Sequence, residues 1–113
     1  MKQRPHSPLS SRVKQQSVDA LADVIVRLGH TAAVRRFLED LCTPTELEAM
    51  ADRWRVVPFL INGMSYRDIQ EITGVSVTTI GRVARTLGLG AGGYHEALRV
   101  DKQHSQPAKE ASS

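Results

Sequence analysis

An all-α, helix-turn-helix protein is what this sequence predicts, and three observations carry the expectation. Apolar residues recur at intervals of three and four through the middle of the chain, no stretch alternates with period two for long enough to build a sheet, and residues 65–88 set a glycine between two short amphipathic segments. With 113 residues the chain is read as one domain, residues 12–103. Residues 1–11, basic and rich in Pro, Ser and Gln, and the polar residues 104–113 hold too little apolar surface to offset the entropy of ordering, so both are expected to be flexible tails.

The elements follow in order. Val18, Leu21, Ile25 and Leu28 form one helical stripe that stops at Gly29. Thr31 is expected to cap a second helix, with Val34, Phe37, Leu38 and Leu41 on one face. A third start signal is stronger: Thr43 as N-cap, Pro44 at the first helical position where no N–H is missed, and Glu46 placed to complete a capping box. Leu47, Met50, Trp54, Val57 and Ile61 then make a seam running to Asn62-Gly63. Pro58 lies inside that run and cannot donate to the carbonyl of Trp54; because the seam keeps its phase across it, a bend is expected rather than a break.

Residues 65–88 read SYRDIQEITGVSVTTIGRVARTLG. Ser65 caps a short helix with Tyr66, Ile69 and Ile72 turned inward, Gly74 supplies a left-handed residue, and Ser76 opens the next helix almost at once. In that second helix Ile80, Val83, Ala84 and Leu87 share one face, and Thr78, Arg82 and Arg85 lie opposite. One face packs and the other is free to read. Such a helix can lie in a major groove, with Thr78 and Thr79 near base edges, Arg82 and Arg85 on phosphates, and Ser76 and Val77 among the DNA-binding residues. Gln70 stands where close helix approach favours a small residue, so either the helices cross more widely or its side chain turns outward.

Charge and composition narrow the function. Fifteen Lys+Arg against twelve Asp+Glu give +3. Over residues 43–88 the signs cancel, yet residues 76–88 hold Arg82 and Arg85 with no carboxylate, a small positive surface on one element. The basic arm, with Lys2, Arg4, Arg12 and Lys14, is open to two readings: an added phosphate or minor-groove contact, or an inert tail. Apolar residues at 41% and charged residues at 24% suit a globular chain, and no apolar run approaches the roughly 18–20 residues a bilayer requires, so a cytoplasmic protein without a membrane partner is expected. The single cysteine, Cys42, excludes an internal disulfide, and His6, His30, His95 and His104 have no ligand spacing; neither a metal nor another cofactor is expected. No nucleophile–base pair or phosphate loop is present, and Asp68 and Glu71 form a solvated face, so the chain is not read as an enzyme. Aromatic residues at 4% weigh against a platform for stacking single strands.

The run LCTPTELEAMADRWRVVPFLINGMSYRDIQEITGVSVTTIGRVARTLG, residues 41–88, resembles the Trp repressor family, and the GLGAGGY that follows, with a short last helix, looks like its YerC/YecD branch. The most telling piece is Thr43-Pro44, Glu46, Ala49, Arg53 and Arg55-Val56-Val57 leading into the hairpin. The resemblance implies an intertwined helical homodimer that binds double-stranded DNA as a transcriptional regulator, a repressor by analogy, with Arg67 and Tyr66 at positions that touch DNA; of the two, Arg67 is the better candidate. It also implies a ligand pocket at Thr43, Arg53 and Arg82. There the family's repressor has a glycine that leaves room for the indole of tryptophan, and this chain has Val83, a branched side chain that fills the space. A small-molecule corepressor is therefore not expected. The competing reading is a helical protein–protein interaction module that contacts another regulator or RNA polymerase.

Overall fold

A computed structural model describes residues 8–101, all of whose regular structure is helical. The order is α1 (Pro8–Leu28), α2 (Thr31–Leu41), α3 (Pro44–Ile61), α4 (Tyr66–Thr73), α5 (Val77–Leu89) and α6 (residues 93–101). The helix α1 takes in residues 8–11, assigned above to the N-terminal tail. The reason is local: Pro8 suits the first helical position, and no further proline or glycine interrupts the chain before Gly29. The rest of the two expected tails, residues 1–7 and 104–113, lies outside the described residues.

By contact the chain divides into two compact units, the first ending at Pro44 and the second starting at Thr45. In the first, Gly29 takes a left-handed φ of 81° and ends α1. His30, extended at φ −151°, is then the N-cap of α2 without a side-chain bond, and its carbonyl accepts from the Val34 amide at 3.1 Å. The cap expected at Thr31 therefore falls one residue earlier, and Thr31 is already helical; a two-residue turn leaves room for nothing else. Ion pairs Arg27–Asp23 and Arg35–Glu39 lie on the solvated faces. The apolar faces are poorly covered: Val34, Phe37 and Leu38 are half-buried, and Val18 at 61% and Val26 at 77% are open to solvent. None of the described side chains in this unit is buried.

The second unit holds the core. The helix α3 runs unbroken through Pro58, as its seam predicts. It ends in a Schellman motif, in which the amide of Gly63 (φ 81°) donates to the Leu60 carbonyl at 3.0 Å and that of Met64 donates to Phe59 at 3.1 Å. Val56 and Val57 from α3, Ile69 from α4, Val75 between the hairpin helices, Ile80 and Val83 from α5, and Leu98 from α6 form the buried cluster, with Trp54, Phe59, Leu60, Met64, Leu87 and Tyr94 packed against it. Val56 lay outside the expected seam. Neighbouring residues point about 100° apart, so burying Val56 together with Val57 means that α3 is covered across a wider arc than one stripe. The seam's Met50 and Ile61 are instead exposed.

Of the three residues expected to face inward on α4, only Ile69 is buried; Tyr66 and Ile72 are exposed at 42% and 58%. Residues three apart stand about 60° to either side of the central one, so the narrow contact of an eight-residue helix covers the middle position and leaves its flanks open. Gln70 turns outward, the second of the two alternatives. On α5, a methyl group at Gly81 would meet the Tyr66 ring at 3.8 Å, an ordinary van der Waals contact.

Ile69→Ala and Ile80→Ala should each lower unfolding free energy by about 2–5 kcal/mol in urea titration, from lost transfer energy plus a cavity. Gln70→Ala should stay within about 0.5 kcal/mol of the parent, and a larger loss would show that Gln70 packs after all.

Candidate nucleic-acid interface

The local chemistry that makes the hairpin is nearly all hydrogen bonding by small side chains. Ser65 is the N-cap of α4, its Oγ accepting from the Asp68 amide at 3.1 Å, and the Asp68 carboxylate lies in the first turn where the helix dipole favours it. At the other end Gly74 takes φ 79°, ψ 0°, a conformation that costs other residues dearly, and its amide donates to Gln70 at 2.8 Å. Val75 follows and is 5% exposed, so the turn is anchored in the core by one aliphatic side chain.

Ser76 then caps α5. Its Oγ accepts from the Thr79 amide at 3.1 Å and donates to Thr79 Oγ1 at 3.1 Å. Beyond the cap, Ile80 and Val83 are buried and Ala84 and Leu87 half-buried, while Ser76, Val77, Thr78, Arg82 and Arg85 are exposed. The separation of faces expected for this helix is thus present. Thr79 is half-buried with its hydroxyl engaged by Ser76, which makes Thr78 the freer of the two threonines. Arg67 is exposed on α4, and among the described residues no carboxylate forms an ion pair with Arg67, Arg82 or Arg85. At the far end of α5 the His95 Nε2–H of α6 donates to the Leu87 carbonyl at 3.0 Å, satisfying an acceptor the helix leaves open.

Two residues that sequence reasoning did not assign complete the turn. Arg55 of α3 donates through Nη2 to the Thr73 carbonyl at 2.9 Å and through Nη1 to Asp52 Oδ1 at 3.1 Å. Thr73 in turn donates from Oγ1 to the Ile69 carbonyl at 2.7 Å and accepts from the Val75 amide at 3.1 Å. Arginine at residue 55 carries no periodic or capping signal, because its partner is a carbonyl eighteen residues away.

The residues of the implied ligand pocket fare differently. Thr43 is exposed at the end of the first unit, and Arg53 and Arg82 are exposed in the second. Val83 is 1% exposed, a full member of the core. Among the described residues no group of His, Cys, Asp and Glu is placed to hold a metal ion, and no helix is long and apolar enough to cross a membrane.

The Trp repressor protein family profile matches residues 16–102. The chain belongs to the Trp repressor family. It is 36% identical over 87 residues to the uncharacterized protein YerC of Bacillus subtilis (strain 168), covering 77% of this chain and 84% of that one, which places it in the family's YerC-like branch. The crystal structure of a TrpR like protein from Eubacterium eligens ATCC 27750 superposes with a TM-score of 0.71 at 35% identity, covering 79% of this chain and 92% of that one. The Trp repressor family is one of regulators, not of enzymes.

The capping geometry carries a direct prediction. Ser76→Ala should lower unfolding free energy by about 1 kcal/mol and Ser76→Gly by only a few tenths, read from denaturant midpoints at unchanged slope. Equal losses in the two variants would mean that the Ser76 hydroxyl does not hold the first turn.

Proposed function

We propose that the protein is a sequence-specific double-stranded DNA-binding transcriptional regulator, a cytoplasmic repressor that acts as a homodimer and does not use tryptophan as corepressor. One observation carries the reading: the outer side of α5, with Val77, Thr78, Arg82 and Arg85, is exposed and free of carboxylates, while its inner side is locked in the core. A helix held that way can enter a major groove by its first turn, with Val77 and Thr78 reaching base edges, Ser76 and Thr79 holding the helix start beside them, and Arg82, Arg85 and Arg67 supplying charge to phosphates or a guanine edge.

Dimerisation is supported by what the first unit lacks. Its amphipathic helices bury no described side chain fully, and a second copy would cover faces that one chain leaves in water, making residues 12–103 of each chain one shared domain. Two-fold symmetry would then space the reading helices by about 34 Å, one turn of DNA. Against a tryptophan switch stands Val83: its side chain is already enclosed by core neighbours at the position where the repressor leaves space for the indole.

Selection from random duplexes should return a palindromic consensus; a pool without one would overturn the DNA reading in favour of a protein–protein module. Against the selected site Thr78→Ala should cost about 1–3 kcal/mol and relax the preference at one position, whereas Arg82→Ala or Arg85→Ala should weaken all duplexes and reduce the salt slope by about one unit each. Calorimetry with L-tryptophan should give no binding heat, and micromolar affinity would refute the corepressor-free assignment.

A further inference from the structure

We infer that Arg55 is a positioning residue for DNA reading, a guanidinium clamp that sets the angle at which α5 leaves the turn; this rests on the DNA-binding reading above. The turn between α4 and α5 has one conformational hinge, Gly74 in the left-handed region, and the direction of α5 depends on what immobilises the residues around it. Thr73, just before it, has each of its acceptors engaged: the hydroxyl bonds the Ile69 carbonyl and the Val75 amide, and the carbonyl receives Arg55 at 2.9 Å. That carbonyl lies in the last turn of α4, where the helix leaves its acceptors open and the dipole favours a cation.

The other side of the clamp is Asp52, one turn before Arg55 on α3, whose Oδ1 accepts from Nη1 at 3.1 Å. A planar guanidinium can satisfy both partners from one fixed orientation. A lysine ammonium is a point donor on a flexible stem and cannot reproduce the fork. Arg55 thereby joins α3, whose Val56 and Val57 lie in the core, to the start of the turn by a charge-assisted bond rather than by packing alone. Its side chain is 50% exposed, so Arg55 is not held by burial, and its direction is set by the two oxygens.

The alternative role for an exposed arginine in such a protein is a direct phosphate contact, and Asp52 separates the two by sign. If Asp52 orients Arg55, Asp52→Asn weakens binding to the selected duplex although the protein loses a negative charge. If Arg55 is a phosphate ligand that Asp52 restrains, the same substitution strengthens binding to every duplex. The experiment measures affinity of the full chain, as parent, Asp52→Asn and Arg55→Lys, for the selected duplex and a scrambled one, together with amide exchange at Val75 and Thr79. The expected result is a loss of about tenfold on the selected duplex in both variants, the scale of one charge-assisted hydrogen bond. Scrambled-duplex affinity stays equal or rises, and exchange at the two amides quickens by more than any fall in the unfolding midpoint accounts for. Tighter binding of Asp52→Asn to both duplexes, or an Arg55→Lys variant matching the parent, overturns the clamp. Should the parent select no duplex at all, the DNA reading fails by itself, and unaltered exchange at Val75 and Thr79 in Arg55→Lys then rejects the clamp independently.

Discussion

Burial of a few aliphatic side chains around the hairpin is the constraint on which the rest of this structure depends. Ile69, Val75, Ile80 and Val83 come from α4, the turn and α5 in sequence order, and together with Val56, Val57 and Leu98 they supply all of the buried apolar residues among those described. Each fully buried side chain contributes roughly 1.5–3 kcal/mol toward the stability of the second unit. It also decides the orientation of α5, because a helix with Ile80 and Val83 fixed inward has no freedom to turn its Thr78 and Arg82 side away from solvent.

The polar interactions divide differently. None of the bonds that close the hairpin's helix ends is fully buried, and the hydroxyl bonds to backbone amides join residues two or three apart, whereas the guanidinium bond from Arg55 to Thr73 spans eighteen. Packing therefore chooses which face of α5 is inside, while the capping bonds choose where along the chain α4 stops and α5 starts. The two kinds of interaction meet at Val75, whose side chain is in the core and whose amide is held by Thr73. An error of one residue in the turn would rotate α5 by about 100° and bury the wrong side, so the turn chemistry and the aliphatic pattern must agree, and here they do.

That agreement explains what was legible in the sequence. Ser65, Gly74 and Ser76 act through neighbours three or four residues away, and a reader of the chain can recover such partners from spacing alone. Ile80 and Val83 follow from periodicity within one helix. The failures have a common cause: Tyr66 and Ile72 were placed inward by the period of their own helix, but their exposure depends on how wide a surface the neighbouring elements offer. Val56 shows the converse, a residue off its stripe made buried by elements far along the chain. The contact of Arg55 with Thr73 is hidden for the same reason, since the partner carbonyl is remote in sequence and carries no side-chain signature. The cap at His30 has no capping chemistry to read, only the backbone angle imposed by Gly29.

The two units differ in where their apolar residues end up. In the second unit seven apolar side chains are buried, although Met50, Ile61, Tyr66, Ile72, Val77, Leu89 and Val100 stay exposed; in the first no described side chain is buried, and Val18, Leu21, Val24 and Val26 leave apolar surface in water. In the homodimer proposed above, folding and pairing of this unit would be linked events, concentration-dependent in a way the hairpin is not. The helix-turn-helix, by contrast, carries its own core, and the geometry of its reading face is set by contacts that are complete within one chain. In the regulator proposed above, such a division would let a pairing surface vary without disturbing the direction of α5, since the residues proposed to fix that direction, from Arg55 through Thr73 to Ser76, all lie in the unit that is already packed.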